Sequence, residues 1–407
     1  MTVVLAGGDL VLPDRLLPSS SLVIAGTRIE DVVERASCDA ARATVIDVRD
    51  HYVVPGFVDV HVHGIEGYDT LDTGAAVAAI AARLPRYGVT AFAPTTVACA
   101  PDELGRVLGQ VRVARAARAA TAARVLPSHL ESNFVNPEYR GAQPLACLRR
   151  PPASAGAPVE GEYSGVAIVE TIERFRAEVG IVTLAPELPG GLDLLVRLVA
   201  AGHRVSLGHS GADFDLANAA IDAGATHATH LFNRMTPLTH RAPGLAGAVL
   251  ARREVAAELI CDGYHVHPAM CRIAIAAKGV DRVMAITDGT AASGLAPGMP
   301  ARLGGRAIRA GAGAAFLDDG TIAGSTLTMD RAFAAIAGPF GRSLVDAAWM
   351  CATTPARQLG LAGHGAIAAG AIADLVVLDR AYRVVRTFID GVEIFAAPSG
   401  EASSAVT

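Results

Sequence analysis

Two histidines two residues apart open the search for chemistry in this chain. In the run Phe57-Val58-Asp59-Val60-His61-Val62-His63, the period-2 geometry of a strand places Asp59, His61 and His63 on one face and three valines on the other. Two imidazoles at that spacing can chelate one ion; a pair of mutually hydrogen-bonded histidines is the ordinary alternative. His209, in RVSLGHS, and His230, in THATHLFN, each close a separate apolar run. Convergence at one rim accounts for their separate positions, whereas helix capping would be the plainer role. Neutral imidazoles suit zinc and other first-row divalent ions. His203 and His227 lie earlier in the same two runs and read as structural or supporting groups.

Two carboxylates extend the set. A site holding two ions needs a bridging anion, often a carboxylate or a carbamylated lysine, and the sole lysine, Lys278, falls outside every strand-end position. Glu131 is then the natural bridge or primary ligand, because a carboxylate ending the run Val125–Leu130 is otherwise a costly half-buried charge. Asp288 ends Val-Met-Ala-Ile-Thr-Asp. A carboxylate there can accept a proton from a water that an ion has acidified and later hand it to a leaving amine, with helix capping or a salt bridge as the alternative.

Eight apolar runs must position these groups: Phe57–His63, Thr90–Thr96, Arg124–Glu131, Ile181–Glu187, His203–His209, Thr226–Leu231, Ala256–Asp262 and Val283–Asp288. They alternate with alanine-rich helical stretches, and eight is the number that closes a barrel whose chemistry sits at the C-terminal strand ends. The expected fold is α/β, a (β/α)8 TIM-like barrel over residues 53–354. A small β-sandwich domain from residues 1–52 plus 355–400 joins it, since both ends return to short strands (Val3–Leu5, Asp9–Val11, Ser21–Ile24, Arg28–Val33, Thr44–Asp47, Asp374–Asp379, Val384–Ile389). Cys38–Ala43 fits at most a short helical turn. The stretch Asn136–Ser164 carries five prolines and reads as a long loop that can form part of a lid.

Composition narrows the partners. A formal charge of -5 from 35 basic and 40 acidic residues, scattered along the chain, leaves no basic stripe for a nucleic-acid backbone. No run approaches the roughly 20 apolar residues of a membrane span, and the N-terminal segment reads as a strand rather than a signal peptide. The six cysteines (Cys38, Cys99, Cys147, Cys261, Cys271, Cys351) form no C-x-x-C pair, which points to reduced thiols and a cytoplasmic location.

With these residues in place, the sequence resembles the N-acetylglucosamine-6-phosphate deacetylases of the amidohydrolase superfamily over nearly its whole length. The likeness rests on PGFVDVHVHG (Pro55–Gly64), HLE with NPEYRGA (His129–Ala142), LAPE (Leu184–Glu187), LGHS (Leu207–Ser210), THLFNRM (Thr229–Met235), PGLAG (Pro243–Gly247), DGYHV (Asp262–Val266), TDG (Thr287–Gly289) and GSTLTM (Gly324–Met329). The resemblance implies that Glu131, His209 and His230 hold the ion always present in the family, and that His61 and His63 hold a second one found in some members, so one or two ions per chain, zinc being the expected metal. It also implies a sugar and phosphate site from Asn233, Arg234, Arg241 and His265, with Ala142, Gln143, Gly263, Ile322, Ala323 and Gly324 nearby. Arg241's counterpart crosses a dimer interface, so a homodimer is expected.

Two departures bear on the substrate. The family's HxEGPF reads His129-Leu130-Glu131-Ser132-Asn133-Phe134, and its GAH or GTH reads Gly141-Ala142-Gln143. An amide in place of an imidazole removes a possible cation at Gln143 while keeping a donor. The expectation is a deacetylase of a phosphorylated N-acetyl amino sugar with Asp288 as proton shuttle. A deacylase of a different N-acyl sugar or sugar-like metabolite, or a non-catalytic ligand-binding relative, is the alternative.

Overall fold

A computed structural model describes residues 2–33, 43–152 and 161–398. Eight parallel barrel strands follow in chain order: Phe57–Val62, Val89–Thr96, Ser128–Glu131 (after a short Arg124–Val125 segment), Val179–Leu184, Arg204–Leu207, His227–Ala228, Ala256–Ile260 and Val283–Ile286. Each pairs in parallel with its neighbours. The ring closes between first and eighth: the Asp288 N–H donates to the His61 carbonyl at 2.9 Å, and Thr287 Oγ1 donates to Asp59 at 2.6 Å. Asp59, expected on the ligand face, is thus fully buried and spent on closure.

The strands are continuously apolar because helices cover the outside and side chains fill the inside. The helix Gly191–Ala200 shows how the cover is made: Gly191, Leu194, Leu195 and Leu198 form one buried stripe. After the eighth strand the chain departs from the repeat. A four-stranded antiparallel sheet, Pro300–Leu303, Arg306–Ala310, Ala314–Phe316 and Ile322–Ser325, precedes the helix Met329–Ala337. This sheet was not expected from the sequence, because its strands are short and rich in alanine and arginine, types with little strand preference.

Both chain ends build one further sheet. Its order runs Val392–Ala396, Val384–Ile389, Leu375–Leu378, Tyr52–Pro55, Thr2–Val11, Leu16–Ala25, Arg28–Val33, with Ala43–Asp47 also pairing Thr2–Val11. Leu5, Leu10, Leu22, Ile24 and Phe388 form its dry interior. The runs Val3–Leu5 and Asp9–Val11 are one strand whose register shifts on either side of Gly8. The turn expected at Cys38–Ala43 falls almost entirely outside the described residues, as does the middle of the proline-rich loop, 153–160. Trp349 Nε1 donating to Pro13 O at 2.8 Å and Thr387 Oγ1 donating to Pro85 O at 2.7 Å tie the sheet to the barrel.

Lys278 is buried, and its ammonium donates to the carbonyls of Val249 (2.9 Å) and Arg252 (2.6 Å). Those carbonyls belong to the unpaired C-terminal turn of the helix Gly244–Ala251, so the lysine serves as a helix cap. The five described cysteines are free. Among the described residues no helix is long and apolar enough to cross a membrane.

Candidate active site

The barrel strands deliver six polar side chains to one mouth. His61 and His63 come from the first strand and its end, Glu131 from the third, His209 and His230 from just beyond the fifth and sixth, Asp288 from just beyond the eighth. Glu131 stands between two groups of imidazoles. Its Oε1 lies 2.8 Å from both His209 Nε2 and His230 Nε2, while its Oε2 lies 3.4 Å from His63 Nε2. Asp288 Oδ1 faces His61 Nε2 at 3.4 Å and His63 Nε2 at 3.3 Å. Two donor sets result, Glu131–His209–His230 and His61–His63–Asp288.

The chemistry of these sets fits divalent cations. His61 Nδ1 sits 2.8 Å from the Glu258 carboxylate and His209 Nδ1 2.8 Å from the Tyr139 carbonyl, so both rings keep their protons outside and turn Nε2 lone pairs inward. The Nε2 atoms of His209 and His230 then lie 3.0 Å apart, and those of His61 and His63 3.2 Å apart. Ring nitrogens so close need a positive charge between them, which a shared proton or a divalent ion supplies. The potential agrees: against the lowering effect of burial, Asp288 and Glu131 hold His63 up at about 10, and Glu131 holds His230 at about 9. Burial raises Asp288 and Glu131, yet the imidazoles outweigh it and keep both carboxyls below their ordinary values.

Backbone strain is concentrated here. His209, His230 and Asp288 take left-handed conformations, with φ of 48°, 30° and 48°. Each costs a non-glycine residue on the order of 1 kcal/mol or more, so the surroundings must hold them. At Asp288 the carbonyl accepts from the Ser325 N–H at 2.9 Å, and at His209 the carbonyl accepts from the Asn136 N–H at 2.9 Å. Gly324 packs against this turn; a Cβ there would lie 2.9 Å from the Asp288 carbonyl and 2.6 Å from Thr290, at a φ of 69°.

The departures from the family pattern have distinct places. Ser132 Oγ donates to the Thr183 carbonyl at 2.6 Å, and Asn133 Nδ2 to the carbonyls of Cys99 (2.8 Å) and Cys147 (2.7 Å). Both brace the loop from behind. Gln143 does reach the cleft: its Oε1 accepts from the Ala98 N–H at 2.7 Å and its Nε2 donates to Glu131 Oε2. Glu187, from LAPE, accepts from Ser210 Oγ at 2.7 Å and Asn136 Nδ2 at 2.8 Å, joining the strand ends to the loop.

Above the polar floor opens a cleft of 450 Å³. Ala142, Gln143, Asn233, Arg234, His265, Ile322 and Gly324 line it, as expected, together with Tyr139, Phe232, Tyr264 and Leu303. Gly263 and Ala323 do not line it; their chain neighbours Tyr264, Ile322 and Gly324 do. Arg241 is exposed and does not line the cleft within its own chain. The His265 side chain is 5% exposed, its Nδ1 lies 2.6 Å from Asp262, and its Nε2 has no partner among the described residues.

Residues 52–394 match the amidohydrolase family. The chain is 35% identical over 350 residues to N-acetylglucosamine-6-phosphate deacetylase of Bacillus subtilis (strain 168), with 84% of each chain covered. The chain belongs to this deacetylase family of amidohydrolases. It is 34% identical over 340 residues to N-acetylgalactosamine-6-phosphate deacetylase of Escherichia coli O157:H7, covering 83% of this chain and 86% of that one. The structure of a mutant of the Mycobacterium smegmatis N-acetyl-D-glucosamine-6-phosphate deacetylase, in complex with N-acetyl-D-glucosamine-6-phosphate, superposes with a TM-score of 0.85 at 34% identity, covering 97% and 99% of the two chains.

Sequence reasoning missed Glu258 and His129, which form a fully buried group with His61. A lone carboxylate inside the apolar run Ala-Ala-Glu-Leu-Ile was the available signal for the first. For Leu303, brought in by the inserted sheet, no local signal existed.

Proposed function

We propose that this chain hydrolyses the N-acetyl amide of N-acetylglucosamine 6-phosphate, giving glucosamine 6-phosphate and acetate. The observation that carries the reading is Asp288, a carboxylate at the base of the cleft that faces both His61 and His63. Glu131, His209 and His230 would hold one divalent ion and His61 and His63 a second, with zinc the expected metal. When bound, such ions acidify the attacking water and polarise the acyl carbonyl. Asp288 takes the proton from that water as its oxygen bonds to the acetyl carbon. It then delivers the proton to nitrogen as the C–N bond breaks, so the amine leaves neutral.

The rest of the cleft positions the sugar. Gln143, anchored by Ala98 and Glu131, keeps a second N–H for the acyl oxygen. Asn233 and Arg234 offer donors to the sugar and its phosphate, while the unpartnered Nε2 of His265, whose Nδ1 donates to Asp262, offers a sugar hydroxyl an acceptor. Exposure of Arg241 outside its own cleft favours a homodimer in which it serves the partner subunit's phosphate. The compartment expected for such an enzyme is the cytoplasm.

The deciding measurement is kcat/KM for N-acetylglucosamine 6-phosphate, N-acetylgalactosamine 6-phosphate and unphosphorylated N-acetylglucosamine, with acetate and free amine both counted. Preference for the first supports the reading. Preference for the galactose epimer or the free sugar replaces the substrate, and no turnover of any by metal-loaded protein makes the chain a binding relative.

A further inference from the structure

We propose that Glu258 is the positioning residue of the second ion site, setting its affinity through the tautomer and aim of His61. This rests on the reading that the cleft takes divalent ions. Glu258 lies in the seventh barrel strand with no exposed surface. A carboxylate there costs free energy that leucine would not, so packing does not explain it. Its Oε2 stands 2.8 Å from His61 Nδ1. The proton on Nδ1 leaves the Nε2 lone pair facing His63 Nε2 at 3.2 Å and Asp288 Oδ1 at 3.4 Å.

The ring cannot swing away from this aim. His129 packs edge-on against His61 with centroids 4.5 Å apart, and is itself fixed by the Val60 carbonyl at 3.1 Å and Thr183 Oγ1 at 2.7 Å. Among the four imidazoles of the two donor sets, His61 is the one backed by a carboxylate: His209 leans on a backbone carbonyl, and Nδ1 of His63 and of His230 has no partner among the described residues. A carboxylate behind a ligand imidazole fixes its tautomer and raises its basicity. Glu258 touches the first donor set only through the His230 backbone N–H, at 3.4 Å, which leaves that ring's tautomer alone. The effect is therefore selective for the second ion.

The test counts zinc, without substrate, so its failure is distinguishable from failure of the proposed reaction. Purified full-length protein is dialysed against graded zinc buffers and bound zinc is counted per chain, for the parent, E258Q, H61N and the double variant. The parent should bind two ions. E258Q should weaken the second by about 10- to 100-fold, the range for outer-shell partners of metal ligands, and leave the first within about threefold. Adding E258Q to H61N should leave the zinc isotherm unchanged. A parent that holds one ion at every zinc concentration overturns the proposal. So do equal weakening of both ions by E258Q, no weakening, or further loss in the double variant. If E258Q fails to fold, E258D, which draws the carboxylate back by one methylene, is read by the same criteria.

Discussion

The barrel mouth and the interior of the sheet built from both chain ends are both made of buried side chains and are opposite in content. The sheet buries Leu5, Leu10, Leu22, Ile24 and Phe388, side chains that gain free energy simply by leaving water. The mouth buries His61, His63, Glu131, His209, His230, Glu258 and Asp288, side chains that lose free energy unless each finds a partner. Function and stability are thus carried by different regions: the sheet and the barrel's apolar layers hold the fold, and the mouth spends part of that stability on a charged, strained site.

The largest effect expected is on turnover. Asp288→Asn should lower kcat on the order of 10³-fold, because an amide cannot accept the water proton. Its unfolding temperature should stay close to the parent's, since an amide keeps the shape of the carboxylate and asparagine tolerates the left-handed backbone there. Activity within a few-fold of the parent would remove Asp288 from the mechanism, and a large loss of stability would break the contrast between the regions.

Phe388→Ala tests the other side. Emptying a fully buried ring position in the end sheet should cost about 3–5 kcal/mol of stability while leaving kcat/KM near the parent value. Denaturant unfolding and steady-state kinetics on the same preparation read both; a matching loss of activity in the folded variant would mean that the sheet shapes the cleft.

Metal removal joins the two regions. Ions that bind the folded mouth and not the unfolded chain should stabilise by about 3 kcal/mol when free metal stands 100-fold above the dissociation constant. A chelator should therefore abolish activity and lower the melting temperature, by a similar shift in the parent and in Phe388→Ala. A chelator that silences activity without moving either transition would mean that the ions do not support the fold.

Arg241→Ala should show the smallest effect, about 2 kcal/mol in kcat/KM for the phosphorylated substrate and almost none for the unphosphorylated sugar. Equal losses on both would assign Arg241 to structure.

Much of this contrast is legible in the sequence. Eight apolar runs, six of them ending in histidine or acid, predict the barrel, because strand burial and side-chain alternation are local properties. What escapes depends on distance or conformation. The Glu258–His61 contact spans 197 residues, and nothing beside either residue announces the other. The left-handed positions His209, His230 and Asp288 are not themselves glycines, so their residue types do not mark the conformation. The inserted sheet at 300–325 lacks the β-branched texture that would have separated it from loop. Ser132 and Asn133, suspected from the sequence of bearing on the substrate, prove to brace the loop, since their side chains point to backbone carbonyls rather than into the cleft.

The burial of Lys278 reaches beyond helix capping. Its amine is the only one on any side chain, and it is held inside by two carbonyls, so every positive side chain on the folded surface that keeps its charge through ordinary pH is a guanidinium. Guanidinium groups stay protonated and are poor nucleophiles. The folded chain should pass through amine-directed acyl donors and crosslinkers with no side-chain amine marked, and a label that does appear on Lys278 would report that the protein had opened.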